Sequence, residues 1–248
     1  MDFTEKALVL KVGRFRDSDV WVRLLTPGHG VFQAFAFGGS RSVRRFGGCL
    51  DTLNMVLFTV GGNGTGTYRT LKEGSLINGF SGLRADNRRL GAAANCARFA
   101  QAVQEGPQDA RRTFDLLVST LEVLEHLENG IETIPMLFRV RLAFDTGYGP
   151  ELLNCVSCGR TLDAAARPVF HVERGGMFCE YCRVPPGNAA RVHPGTLRSL
   201  DWIRRSEPEN WPKFSMPPVV RREGARLVEQ FVAYHLGLQW DNGRYIKV

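Results

Sequence analysis

Through residue 80 the apolar positions come in short runs, several with a two-residue period. Ala7-Leu8-Val9-Leu10-Lys11-Val12 is rich in branched side chains, and Val20-Trp21-Val22-Arg23-Leu24-Leu25 follows it. Thr26-Pro27-Gly28-His29-Gly30 is a Pro/Gly turn that closes a hairpin. Val31–Phe37 alternates, with Val31, Phe35 and Phe37 on one face and Phe32 opposite them, and Phe35 and Phe37 are assigned to the core. Leu53–Val60 and Thr67–Ile77 are further strands, separated by Gly61-Gly62-Asn63-Gly64. Five short strands with Gly-rich connections predict a small barrel of the OB type, whose closure leaves no exposed edge.

After Gly82 the period lengthens to that of helices. Leu83–Glu105 is Ala-rich, with Leu90, Ala93, Ala94, Ala97 and Ala100 at helical spacing, and Gly106-Pro107 ends it. Ala110–Glu128 carries Phe114, Leu117, Leu121 and Leu124 along one side, and Ile131–Thr146 forms a third helix before Gly147-Tyr148-Gly149-Pro150. His193-Pro194 opens a helix through Arg205, and Val219–Leu236 is the last. The expected class is therefore α+β. A barrel over 1–80 precedes a helical domain over 81–248, into which a cysteine-bearing module at 151–186 is inserted.

Composition narrows the function. In 248 residues, 44% are apolar and 23% charged, which excludes disordered and fibrous classes. The net charge of +7 is spread unevenly: +4 over residues 1–82, −2 over 83–158 and +5 over 159–248. Of the 32 cations 27 are Arg, a bias suited to bidentate recognition of phosphate. No apolar run is long enough to span a bilayer, and the start of the chain lacks the pattern of a secretory signal, so a cytoplasmic protein is expected.

Cys155-x-x-Cys158 and Cys179-x-x-Cys182 are the most specific signal in the chain. Each Cys-x-x-Cys turn aims two thiolates at one point, and two such turns complete a tetrahedral four-sulfur shell suited to Zn²⁺. Gly159 fits the tight turn, and Gly175-Gly176 fits a hairpin leading to the second pair. Such a shell has no open position, so one structural Zn²⁺ is expected, bracing a segment with too little core to fold alone. A redox pair or an iron–sulfur cluster uses the same residues, although no βαβ pattern surrounds them.

Gly38-Gly39-Ser40-Arg41-Ser42-Val43-Arg44-Arg45-Phe46-Gly47-Gly48 sets Arg41, Arg44 and Arg45 between paired glycines, where guanidinium forks match phosphate oxygens. Lys11, Arg14, Arg16, Arg23, Arg69 and Lys72 add charge in the same region, and Phe15, Trp21, Phe32, Phe35, Phe37, Phe46 and Tyr68 supply aromatics. A basic groove with aromatic platforms holds single strands without reading their sequence. No Walker loop, nucleophile elbow, HExxH or dinucleotide fingerprint is present, and no catalytic constellation is found. A non-enzymatic nucleic-acid-binding protein is the leading expectation. A zinc-ribbon nuclease and a zinc-stabilised scaffold are the alternatives.

In this order the motifs resemble the RecO family of bacterial recombination mediators. Asp17-Ser18-Asp19 through Gly30 is similar to that family's first hairpin, and Gly38–Arg41 with Arg45–Leu50 to its basic loop. Phe138–Leu142 with Gly147–Leu152 is similar to the helix entering its metal module, followed by the cysteine quartet. The resemblance implies an N-terminal OB fold and a helical domain with a zinc module. It also implies binding of single- and double-stranded DNA, annealing of complementary strands, and work with RecR to load RecA onto DNA coated by single-strand-binding protein, in the bacterial cytoplasm at the nucleoid. It further implies a receptor for the acidic C-terminal tail of single-strand-binding protein, carried here by Leu137, Phe138, Arg141 and Leu142. Arg141 and Asp145 also stand at the i,i+4 spacing of a helix ion pair.

Overall fold

The computed structural model describes residues 2–62, 68–103, 107–144, 149–164 and 166–248. Asn63, Gly64, Thr67, Glu105, Gly106 and residues 145–148, which the sequence reading includes in turns, strand ends and helix ends, lie outside the described residues. The chain divides into two compact units, 1–132 and 133–248, so the helices at 81–126 group with the strands that precede them.

In the first unit five strands form a closed barrel: β1 (Phe3–Arg14), β2 (Val20–Thr26), β3 (Gly30–Ala36), β4 (Met55–Gly62) and β5 (Arg69–Asn78). Their order is β1-β2-β3-β5-β4, with β3 and β5 parallel and the other neighbours antiparallel, as in an OB fold. The strand β1 runs past both ends of its apolar stretch, because polar Thr4–Lys6 pair with β4 and extend the ladder without a hydrophobic signal. Val9, Val22, Leu24, Val56, Phe58 and Leu71 fill the interior, joined by Phe46 from the short helix α1 (Val43–Phe46).

One expectation is corrected here. Phe35 and Phe37 are not core: β3 turns Ala34 and Ala36 inward, while Phe37 is 42% exposed. The interior of so narrow a barrel is occupied by Phe46 and Phe58, and the space left beside β3 takes alanines.

The outer face of the barrel is used unevenly. Leu8 and Leu25 are register partners, both fully buried and outside the interior cluster. Helices α2 (Ser81–Arg84), α3 (Asn87–Val103) and α4 (Ala110–His126) complete the unit, with α3 against β1 and α4 against β2 and β3. Asp86 accepts the Leu90 N–H through its carbonyl and the Arg88 N–H through its side chain, interrupting the expected 83–105 helix and starting α3.

The second unit is built on α5 (Ile134–Phe144), most of whose side chains are buried against α6 (Pro194–Arg205) and α7 (Pro218–Leu236). The cysteine segment carries a three-stranded sheet, β6 (Val169–His171), β7 (Gly176–Phe178) and β8 (Ala189–Arg191), in the order β7-β6-β8. A C-terminal hairpin, β9 (Leu238–Asp241) and β10 (Arg244–Lys247), follows α7.

Candidate metal centre and nucleic-acid interface

The first cysteine pair is sewn to the edge of β7: Val156 N donates to Met177 O at 2.9 Å, and Met177 N to Glu151 O at 2.9 Å. The second pair continues directly from β7, so one strand sets both. Gly159 takes φ +72° as the first turn closes, its N–H donating to Cys155 O at 2.8 Å. The four Sγ atoms then lie within 4.8 Å of one another, and Cys158 and Cys179 Sγ are 3.7 Å apart. A tetrahedron with Zn–S bonds of about 2.3 Å has edges of about 3.8 Å, so the four sulfurs can hold one metal ion. Cys155 and Cys179 are buried, Cys182 is half-buried and Cys158 is exposed. Burial raises the Cys155 thiol, but N–H donors from Cys179, Cys158 and Ser157 outweigh it and bring it down to about 6. His171 lies on β6 and is not one of the clustered donors.

On the barrel, the expected basic loop is a folded segment. Gly38 N donates to Asp19 Oδ1 at 2.7 Å, Ser40 N to Ser18 O at 3.1 Å, and Phe46 plugs the interior. Arg45 is held within it, donating to Phe37 O at 2.7 Å and Ser42 Oγ at 3.0 Å. Arg41 and Arg44 are exposed, with no side-chain partner among the described residues. Lys11 and Arg23 are register partners on the outer face. Arg14 lines a cleft of about 570 Å³ with Ser40 and Asp51, and Arg16 lies over Phe15 at 5.3 Å.

Two further predicted contacts, Arg69 and Lys72, are engaged by neighbours of their own. The Arg69 guanidinium stacks on Phe32 at 4.0 Å and faces Phe3 at 5.6 Å; burial pulls it below its ordinary pKa, with the Glu5 charge opposing. Lys72 pairs with Asp2. Alongside the Lys11–Arg23 row runs one that sequence reasoning missed, Gly13–Trp21–Phe35. The signal for it was the pair of alanines at 34 and 36, which fit a barrel interior better than Phe35 and Phe37 do.

In the second unit, the expected tail receptor is corrected. Leu137, Phe138 and Leu142 are at most 5% exposed and belong to the core, because α5 is the central helix of its unit. Arg141 Nη2 meets Glu207 Oε1 at 3.3 Å, and its proposed partner Asp145 lies outside the described residues. A cavity of about 440 Å³ opens instead beside α7, its lining including Arg139, Val228, Val232, Leu238, Trp240 and Tyr245, with the exposed Glu229 at its border.

The sequence profile described as "Recombination protein O N terminal" matches residues 1–80, and "Recombination protein O C terminal" matches residues 84–244. The chain belongs to the RecO family of DNA repair proteins. The DNA repair protein RecO of Maridesulfovibrio salexigens is 41% identical over 248 residues, covering all of both chains. That of Nitratidesulfovibrio vulgaris is 44% identical over 99% of each, and that of Rubrobacter xylanophilus 32% identical over 80% of this chain and 79% of its own. The RecO N-terminal match spans the OB barrel with its basic segment, and the C-terminal match spans all four cysteines. Among the described residues no helix is long and apolar enough to cross a membrane.

Proposed function

We propose that this RecO protein binds single- and double-stranded DNA on the open outer face of its barrel and anneals complementary strands without making or breaking a covalent bond. The observation that carries the reading is the register pairing of Lys11 with Arg23 on the outer face, together with exposed Arg41 and Arg44 in the segment after β3, cations without a side-chain hydrogen-bond partner among the described residues. Annealing needs no nucleophile. Cations that neutralise phosphates on two strands lower their repulsion and release counterions, while sequence-blind contacts let the bases search for register. Arg14, Arg16 and Arg45 extend that surface; Arg69 and Lys72, occupied by their own aromatic and acidic neighbours, contribute less.

The cysteine quartet holds one Zn²⁺ in this reading. When bound, the ion supplies a cross-link with every position taken by sulfur, hence no site for an activated water. Cys155 and Cys179 anchor it from within the module, and Cys158 and Cys182 close it from the solvent side.

In the cell, at the bacterial nucleoid, the protein works with RecR to load RecA onto DNA coated by single-strand-binding protein. The acidic C-terminal tail of that protein docks in the cavity beside α7. Val228, Val232 and Leu238 receive its apolar end, and Arg139, within 3.4 Å of Tyr245 Oη, faces its carboxylate. The test is annealing of complementary strands precoated with the cognate single-strand-binding protein. Annealing should be accelerated, and less so when that protein lacks its tail. Failure to bind oligonucleotides even at low salt would overturn the reading.

A further inference from the structure

The open end of the barrel's outer face is aromatic to an extent that phosphate contacts do not explain. Trp21 and Phe35 are register partners on β2 and β3. Phe37 stacks beside Phe35 with centroids 6.3 Å apart, Phe15 meets Phe35 edge-on at 5.5 Å, and Tyr68 meets Phe35 at 5.8 Å and Phe37 at 6.4 Å. Phe15, Phe37 and Tyr68 are 52%, 42% and 43% exposed. Three large rings with this exposure in one contiguous cluster cost hydration free energy unless something covers them.

What surrounds the cluster indicates what covers it. Lys11 Nζ sits 5.6 Å over the Trp21 ring, and the Lys11–Arg23 row runs parallel to the aromatic one, two residues away along the strands on the same face. Arg16 lies over Phe15, and Arg45 donates to the carbonyl of Phe37. Flat apolar surfaces edged by cations match a polymer with flat apolar faces and an anionic backbone. A duplex hides those faces in its own stack; a single strand offers them.

We infer that Trp21, Phe35, Phe37, Phe15 and Tyr68 form a stacking platform for the unpaired bases of single-stranded DNA, while the neighbouring cations hold the backbone. The inference rests on the proposed DNA binding and adds the part of it that separates single strands from duplex. The platform carries no hydrogen-bonding code, so it accepts any base, as strand annealing requires.

The experiment measures affinity of the full-length protein for a fluorescein-labelled oligo-dT and for a hairpin duplex, over a salt series. The double variant Phe15→Ala, Phe37→Ala should bind oligo-dT on the order of tenfold more weakly or worse. Its duplex affinity and its salt slope should match wild type, and Phe37→Tyr should retain single-strand binding. In parallel, an oligonucleotide carrying 5-iododeoxyuridine, irradiated on wild-type protein, should form adducts on these rings. Unchanged oligo-dT affinity, equal losses for both probes, or adducts confined to residues elsewhere would overturn the platform while leaving DNA binding intact. Wild-type protein that binds neither probe removes the DNA-binding reading itself, and the platform with it.

Discussion

Trp21 lies flat across Gly13, its register partner: a Cβ at position 13 would come within 2.3 Å of the indole Cε2. The glycine is what lets an indole lie over the neighbouring strand. Gly13→Ala must therefore lift the ring or bend β1, at a cost of about 1–3 kcal/mol, in the range of other overpacked positions. The expected outcome is a lower melting temperature with a red-shifted tryptophan emission, checked by thermal denaturation and fluorescence. Gly13→Ala with wild-type stability and spectrum would contradict the packing described.

The basic residues divide into two groups by what they touch. Arg41→Ala with Arg44→Ala removes exposed charges with no side-chain partner among the described residues, so stability should hold. Their removal should flatten the salt dependence of single-strand binding, by about 0.7 in logarithmic slope for each phosphate left without its cation. Arg69→Ala should do the reverse. Its guanidinium stacks on Phe32 at 4.0 Å. Removing it should cost about 0.5–2 kcal/mol of stability with little change in slope. Paired titrations and melting curves distinguish the two.

How far the sequence spoke varies with the kind of signal. Interior positions of β1, β2 and β4, most of the helices, and the cysteine quartet were legible, because a period or a fixed spacing names them directly. The inward face of β3 was not. Alternation shows two faces but does not say which is inside, and bulk alone favours Phe35 and Phe37; the deciding fact is that Phe46, from the short helix that follows β3, already fills the barrel. The hairpin β9–β10 was passed over although Asn242-Gly243 is a turn signal, with φ of 43° and 88° there. Its strands are four residues each and half polar, too short to show a period. The cavity beside α7 was illegible for the same reason, since four of its ten lining residues come from that hairpin.

The metal centre makes an unequal prediction for its four ligands. Cys155 is buried and its Sγ accepts the Cys179 N–H at 3.3 Å, whereas Cys158 is exposed. Both Cys155→Ser and Cys158→Ser should reduce the metal content from one ion per chain, measured by elemental analysis. Cys155→Ser should lower the melting temperature more, because it also disturbs the hydrogen bond that joins the two turns. Stripping wild-type protein with a strong chelator should destabilise it, and zinc should restore it. A coloured protein containing iron would contradict the assignment to zinc.

Acid should erase one contribution to stability at the start of α3. Arg88 hydrogen-bonds Asp86 through side chain and backbone and holds its carboxyl at about 2, below the ordinary 3.8. A folded pKa depressed below the unfolded one stabilises fully above pH 3.8, and the contribution is lost as pH falls through about 2. The difference in melting temperature between wild type and Asp86→Asn should thus be constant near neutrality and shrink between pH 4 and pH 2. A difference that persists at pH 2 would assign the effect to geometry rather than to charge.

The cavity beside α7 and the surface near α6 offer two arginines for a peptide carboxylate, and their surroundings separate them. Arg141 already meets Glu207 and sits among buried side chains of α5. Arg139 borders open space between aliphatic side chains and the rings of Trp240 and Tyr245. A fluorescent peptide with the acidic C-terminal sequence of single-strand-binding protein should therefore lose most of its affinity to Arg139→Glu and little to Arg141→Ala. Amidating the peptide's terminal carboxylate should weaken binding to wild type but make little difference to the Arg139→Glu variant. If amidation weakens both proteins equally, the carboxylate is read by some other cation, and the tail docks elsewhere on the protein.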